Sequence, residues 1–144
     1  MARCSVATRS SLASGVAAGP SLYATTAVRP QIREIGVFNT TAVAVAVGIV
    51  RATTAGTQGA GLTEVCDSDL SHVVIATAFN THTVAPTVSA ASRQTSLGAA
   101  IGSGVIWTWG PGEFILTNAV TDGVVINCPT GTGQILDFYI VWEE

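Results

Sequence analysis

The chain has 144 residues and a mass of 14.6 kDa, with 48% hydrophobic but only 10% charged residues, against roughly 25% charged in an average domain. That length suits one domain, and the composition excludes a largely disordered chain and a nucleic-acid binder that works through a broad basic surface. Every basic residue is an arginine; the first 33 residues carry +4 and the remainder −7, for a net −3.

A basic leading segment on an acidic body is expected to lie on an acidic surface, such as a neighbour's. Residues 1–30 are rich in Ser, Ala and Gly, are broken at Gly19-Pro20 and end in Val28-Arg29-Pro30. They read as an extended N-terminal arm with one short strand near residues 22–26. The domain proper is expected over residues 31–144.

From Gln31 the pattern turns strand-like, with Ile32, Glu34, Gly36 and Phe38 on one parity and a stop at Asn39-Thr40-Thr41. In residues 42–51, Val43, Val45, Val47 and Ile49 share one face and Ala42, Ala44, Ala46 and Gly48 the other. That period of two marks a strand whose small face admits a close second layer. This run is also the most apolar one, and it is about half the roughly 20 residues of a membrane helix. Residues 52–63 read as a glycine-rich loop. Residues 64–71 form a polar patch, and residues 72–79 an apolar run that fits a strand or a short helix. Phe38-Asn39-Thr40 recurs as Phe79-Asn80-Thr81, a weak echo with no third copy.

The last third is the most regular. Strands are expected at residues 105–109, 113–117, 123–128 and 134–142, separated by Gly110-Pro111-Gly112, Asn118 and the run from Pro129 to Gly133. Short strands every 8–12 residues with Gly/Pro turns indicate an all-β fold, an antiparallel β-sandwich or jelly roll.

Catalytic signatures are sparse. Asp67, Asp69, Ser71 and His72 are near one another, but a hydrogen-bonded turn produces the same spacing. There is no nucleophile elbow or zinc-protease helix motif, and the Gly-x-Gly units at Gly59, Gly102, Gly110 and Gly131 lack a phosphate-binding context. Cys4, Cys66 and Cys128 are odd in number and irregularly spaced, which argues against a disulfide scaffold. A zinc site from Cys66, His72, His82 and Cys128 lacks the close pairs of structural zinc modules. The reading is therefore a non-enzyme with no cofactor, no metal and no small-molecule substrate. Trp107, Trp109 and Trp142 suit a sandwich core or an interface better than a sugar platform.

The segments Arg33-Glu34-Ile35-Gly36-Val37-Phe38-Asn39-Thr40-Thr41, Gly104-Val105-Ile106-Trp107-Thr108-Trp109 and Asp137-Phe138-Tyr139-Ile140-Val141-Trp142-Glu143 together resemble small β-sandwich proteins from the structural gene clusters of tailed bacteriophages. The resemblance implies a capsid decoration, or cement, protein: a jelly roll, often a homotrimer, on the capsid surface of the virion. Its partners would be its own copies and the major capsid protein. It carries no shared functional motif, so no catalytic residue is transferred. Candidate contact residues are Arg3, Arg9, Arg29, Arg33, Trp107, Trp109 and Trp142. The alternative within the same resemblance is a neck, tail or fibre module that binds a host carbohydrate or receptor.

Overall fold

A computed structural model of the chain describes residues 1–13, 15–130 and 133–144. The turn signal at Gly131 falls outside them. The described residues form strands and loops and no helix: β1 (Arg3–Ser11), β2 (Ser21–Tyr23), β3 (Gln31–Asn39), β4 (Val45–Ala52), β5 (Thr57–Gln58), β6 (Val65–Cys66), β7 (Thr77–Phe79), β8 (His82–Val84), β9 (Arg93–Leu97), β10 (Gly104–Thr108), β11 (Gly123–Asn127) and β12 (Ile135–Glu143).

Two antiparallel five-stranded sheets hold most of them, in the orders β10-β3-β12-β1-β6 (sheet 1) and β7-β2-β11-β4-β9 (sheet 2). Without the edge strands β6 and β7, four strands remain in each sheet. The chain runs β1 in sheet 1, β2 in sheet 2, β3 back in sheet 1, β4 and β9 in sheet 2, then β10, β11 and β12 alternately. That double Greek key is a jelly roll. The segment between β4 and β9 is an insertion; it supplies both extra edge strands and the two-stranded β5–β8 ribbon.

Period-two alternation builds the core. Leu136, Phe138, Ile140 and Trp142 of β12 point inward and are almost fully buried, as are Ile32, Ile35 and Val37 of β3. From sheet 2, Val45, Val47 and Ile49 of β4 meet them with Val124 and Ile126 of β11.

Residues 1–30 are not an arm, and the boundary at residue 30 disappears. β1 pairs with β12 along its whole length, from Arg3 opposite Glu143 to Ser11 opposite Ile135, and its other edge carries β6. β2 lies between β11 and β7. The nine-residue ladder satisfies backbone groups that an arm would have left to a neighbour.

Three other expectations change. Residues 113–117 make a single bridge, Gln31 to Ile115, held by Ile32 N to Phe114 O at 2.8 Å and Leu116 N to Pro30 O at 2.9 Å, just after the turn in which Gly112 takes φ 81°. The apolar run at 72–79 contains only the three-residue β7. Cys4 and Cys66 stand opposite each other in β1 and β6 and form a disulfide across 62 residues. The third cysteine, Cys128, is buried in the core and donates its S–H to the Thr130 carbonyl at 3.4 Å.

Candidate functional site

The outer faces of the two sheets differ. Behind sheet 2, Tyr23, Val50, Ala52 and Val125 form a second apolar cluster, roofed by Ala55, Phe79 and Val88 from the β4–β9 insertion. Tyr23 is central: its hydroxyl lies 3.2 Å from His82 Nε2 and its ring meets Phe79 edge-on. Burial pushes the phenol up to about 12 and holds His82 below the ordinary histidine range, the latter partly offset by the Gly19 carbonyl. The chain thus covers this face itself.

Among the described residues, none roofs the outer face of sheet 1 in this way. The register lines up three cross-strand rows: Ile106–Gly36–Tyr139–Ala7, Gly104–Phe38–Asp137–Arg9 and Thr108–Glu34–Val141–Ser5. Glycine makes the first two rows flat. A Cβ on Gly36 would lie 2.1 Å from the Tyr139 ring, and one on Gly104 would lie 2.2 Å from the Phe38 ring. Both rings therefore lie down over bare backbone, stacked with centroids 6.3 Å apart and planes 23° apart. Beside them Ile106 is 52% exposed.

Charges around this plateau pair with each other. Arg9 grips Asp137 through two hydrogen bonds, Nε–Oδ1 at 2.6 Å and Nη2–Oδ2 at 2.8 Å. Arg33 pairs with Glu143, and the Tyr139 hydroxyl donates to Glu34 at 2.6 Å. Arg9 holds Asp137 below the usual carboxylate range; burial, together with Glu34, pushes Tyr139 up to about 12. The acidic surface expected beneath the basic leading segment is this chain's own β12.

The seven sequence candidates do not form one surface. Arg3, Arg33 and Trp109 share a shallow cleft with Glu34 and Glu143, whereas Arg9 lies at the far end of β1 and Arg29 is exposed in the β2–β3 loop. Trp142 has no exposed surface and is core, so it cannot contact a partner. Trp107 points inward against the same core, and Trp109 meets Phe114 edge-on at 5.2 Å with Arg93 over its ring. The plateau residues Phe38, Tyr139 and Ile106 were not singled out as contact residues. A glycine and an aromatic inside strand patterns hint at such a face, but only the register brings them together.

The polar patch at 64–71 is a set of turns. Asp69 accepts from the Ser71 amide at 2.9 Å and the Ser71 hydroxyl at 2.6 Å, so Ser71 is not bonded to His72. His72 instead meets Glu144, whose Oε1 also accepts from Ile75 N at 2.7 Å. Glu144 Oε2 accepts from Ala76 N at 3.0 Å and Trp142 Nε1 at 3.1 Å. Burial raises the Glu144 carboxyl, but these four donors outweigh it and hold it below the usual range. Of the four residues considered for zinc, Cys66 and His72 come together, joined by Cys4. His82 is committed to Tyr23, and Cys128 lies elsewhere in the core.

Neither a protein-family model nor a curated protein matches the chain. Among solved structures, the crystal structure of the infectious bursal disease virus VP2 subviral particle aligns at 17% identity, over 96% of this chain and 39% of that one, with a TM-score of 0.19. The chain spans about two-fifths of that protein's length, and a likeness this distant carries no argument.

Proposed function

We propose that the protein is a structural subunit of a virion, a jelly roll of the capsid-decoration type that binds its own copies and a shell protein. The outer face of sheet 1 is its contact surface. The observation that carries this reading is the asymmetry of the sandwich: one outer face is roofed by the chain's own insertion, while the other is flat, aromatic and internally neutralised. Four strands about 4.8 Å apart and three rows about 7 Å apart give a patch of roughly 400 Å². A stable interface buries about 800 Å² per partner, so the rim loops must contribute the rest.

A carbohydrate site needs polar groups that converge on a ligand. On this face the Tyr139 hydroxyl is already bonded to Glu34 and the arginines to carboxylates, which favours a protein partner over a host glycan. The test is Ile106→Asp. Being exposed, it should change the monomer's stability by no more than about 0.5 kcal/mol. It should abolish both the trimer expected in native mass measurement of the wild type and binding to purified phage shells. A wild-type chain that stays monomeric and ignores shells, or a variant that assembles normally, overturns the proposal.

A further inference from the structure

We infer that Cys4 and Cys66, when reduced, form with His72 a binding site for one zinc-type divalent cation per chain, with one coordination position left to solvent. The two Sγ atoms and a ring nitrogen of His72 lie within 4.8 Å of one another. A tetrahedral centre with bonds of about 2.3 Å to sulfur and 2.0–2.1 Å to nitrogen holds its ligand atoms roughly 3.5–3.8 Å apart. On reduction the sulfurs must separate to that spacing, and the imidazole nitrogen, no more than 4.8 Å from either, must settle to it.

Three parts of the fold prepare this site. The β1–β6 register sets the cysteines opposite each other. The loop after β6 brings His72 over them. Glu144, with a fully buried side chain, bonds Nε2 of that imidazole at 3.0 Å and fixes its ring, as carboxylates commonly do for metal-bound histidines. A cleft lined by Met1, Ala2, Ser68, Asp69, His72 and Glu144 opens on the histidine side of the site, while both cysteines are buried in the core beneath it. Two thiolates select a soft or borderline cation over magnesium or calcium.

The chemistry balances with a thiol or phosphine reductant. It delivers two electrons, and with two protons the S–S bond becomes two thiols. The cation then displaces those two protons and binds both thiolates. Disulfide and metal exclude each other, so the compartment's redox state decides which form exists.

The experiment uses the full chain, reduced anaerobically with a water-soluble phosphine and titrated with Co²⁺. One equivalent should produce a near-ultraviolet sulfur-to-cobalt charge-transfer band and the intense visible bands of a tetrahedral ion. One equivalent of Zn²⁺ should erase both. The unreduced chain and the Cys4→Ser, Cys66→Ser variant should show neither. His72→Ala should weaken binding at least tenfold, and Glu144→Gln by roughly 10–100-fold. If reduction unfolds the chain, one equivalent of Zn²⁺ should restore its β-sheet circular dichroism, as metal binding coupled to folding requires. A folded, reduced chain without the sulfur band, a spectrum unchanged by His72→Ala, cobalt bands in the unreduced chain, or an unfolded chain that Zn²⁺ does not restore each overturns the inference.

Discussion

Replacing Glu144 with alanine tests how the end of the sandwich is tied together. The carboxylate joins two parts of the molecule, the end of β12 with its Trp142 indole and the loop at 72–76. Its two oxygens are not equivalent. Oε1 serves His72 and Ile75, both partly open to water, so solvent can replace it there. Oε2 serves the amide of Ala76 and the indole N–H of Trp142, whose residues are 3% and 0% exposed. A buried donor left without a partner costs about 1–3 kcal/mol. Two of them give a loss of about 4 kcal/mol for Glu144→Ala, or roughly 8–16 °C in Tm for a chain of this size. Urea unfolding followed by circular dichroism measures the loss, and amide exchange locates it: Ala76 should lose protection while amides of β3 and β12 keep theirs relative to global stability. Combined with Trp142→Phe, the two losses should fall short of additivity, because both remove the same bond. A loss below about 1 kcal/mol, or an Ala76 amide as protected as before, refutes the clasp.

Asp122 accepts from Arg51 Nε at 2.7 Å and from the Thr117 amide and hydroxyl at 2.6 and 2.7 Å. Burial raises its carboxyl, but Arg51 and Thr117 together hold it below the usual range. A depressed carboxyl stabilises the fold above its unfolded pKa of about 3.9 and ceases to as pH falls through the folded value. Asp122→Asn should therefore cost about 2 kcal/mol at pH 7, and the gap to wild type in a pH series of melts should close below about pH 4; a gap constant with pH refutes it. Tryptophan emission should be blue-shifted in the native chain, since Trp142 is fully buried and Trp107 and Trp109 pack on the core, and no member of a glycan panel should shift it. Deleting residues 2–30 removes an inner strand from each sheet and should leave a chain without a cooperative melt; a truncated protein that melts sharply refutes the inner placement of β1.

The strands legible in the sequence are those whose inward positions are mostly apolar, although β3 ends on the buried Asn39 and a bulge sets Ile32 and Ile35 three apart. β3, β4, β10, β11 and β12 lie within a few residues of their expected places because Val, Ile, Leu and aromatic residues recur every second position. β1 is central but carries Thr8 and Ser10 at inward positions, so its alternation fades after Val6. β9, Arg-Gln-Thr-Ser-Leu, is an edge strand with one buried residue, and edges need little apolar content. The insertion was opaque for another reason. Its short strands β5 to β8 are held by pairing to distant partners, not by any local period. The same limit hid both sites. Gly36 and Tyr139 are 103 residues apart and Cys4 and Cys66 are 62 apart. Each contact exists only once the register is set.

The scarcity of charge takes a specific form in the structure. Among the described residues, three of the six arginines are in ion pairs with a carboxylate: Arg9 with Asp137, Arg33 with Glu143 and Arg51 with Asp122. Two of these pairs flank the aromatic plateau of sheet 1. The exposed Arg9–Asp137 pair adds little to stability, typically about 0–1 kcal/mol, so its value lies elsewhere. An unpaired arginine or aspartate at the edge of an apolar patch must be desolvated or matched when a partner arrives. Charges already matched within the subunit lower that requirement and leave the plateau open to any partner of complementary shape. For the shell role proposed above, the flatness and neutrality of this face would matter more than a unique charge code. The roof over sheet 2 complements it, since a sandwich with both faces apolar and bare would associate on both sides and grow without limit.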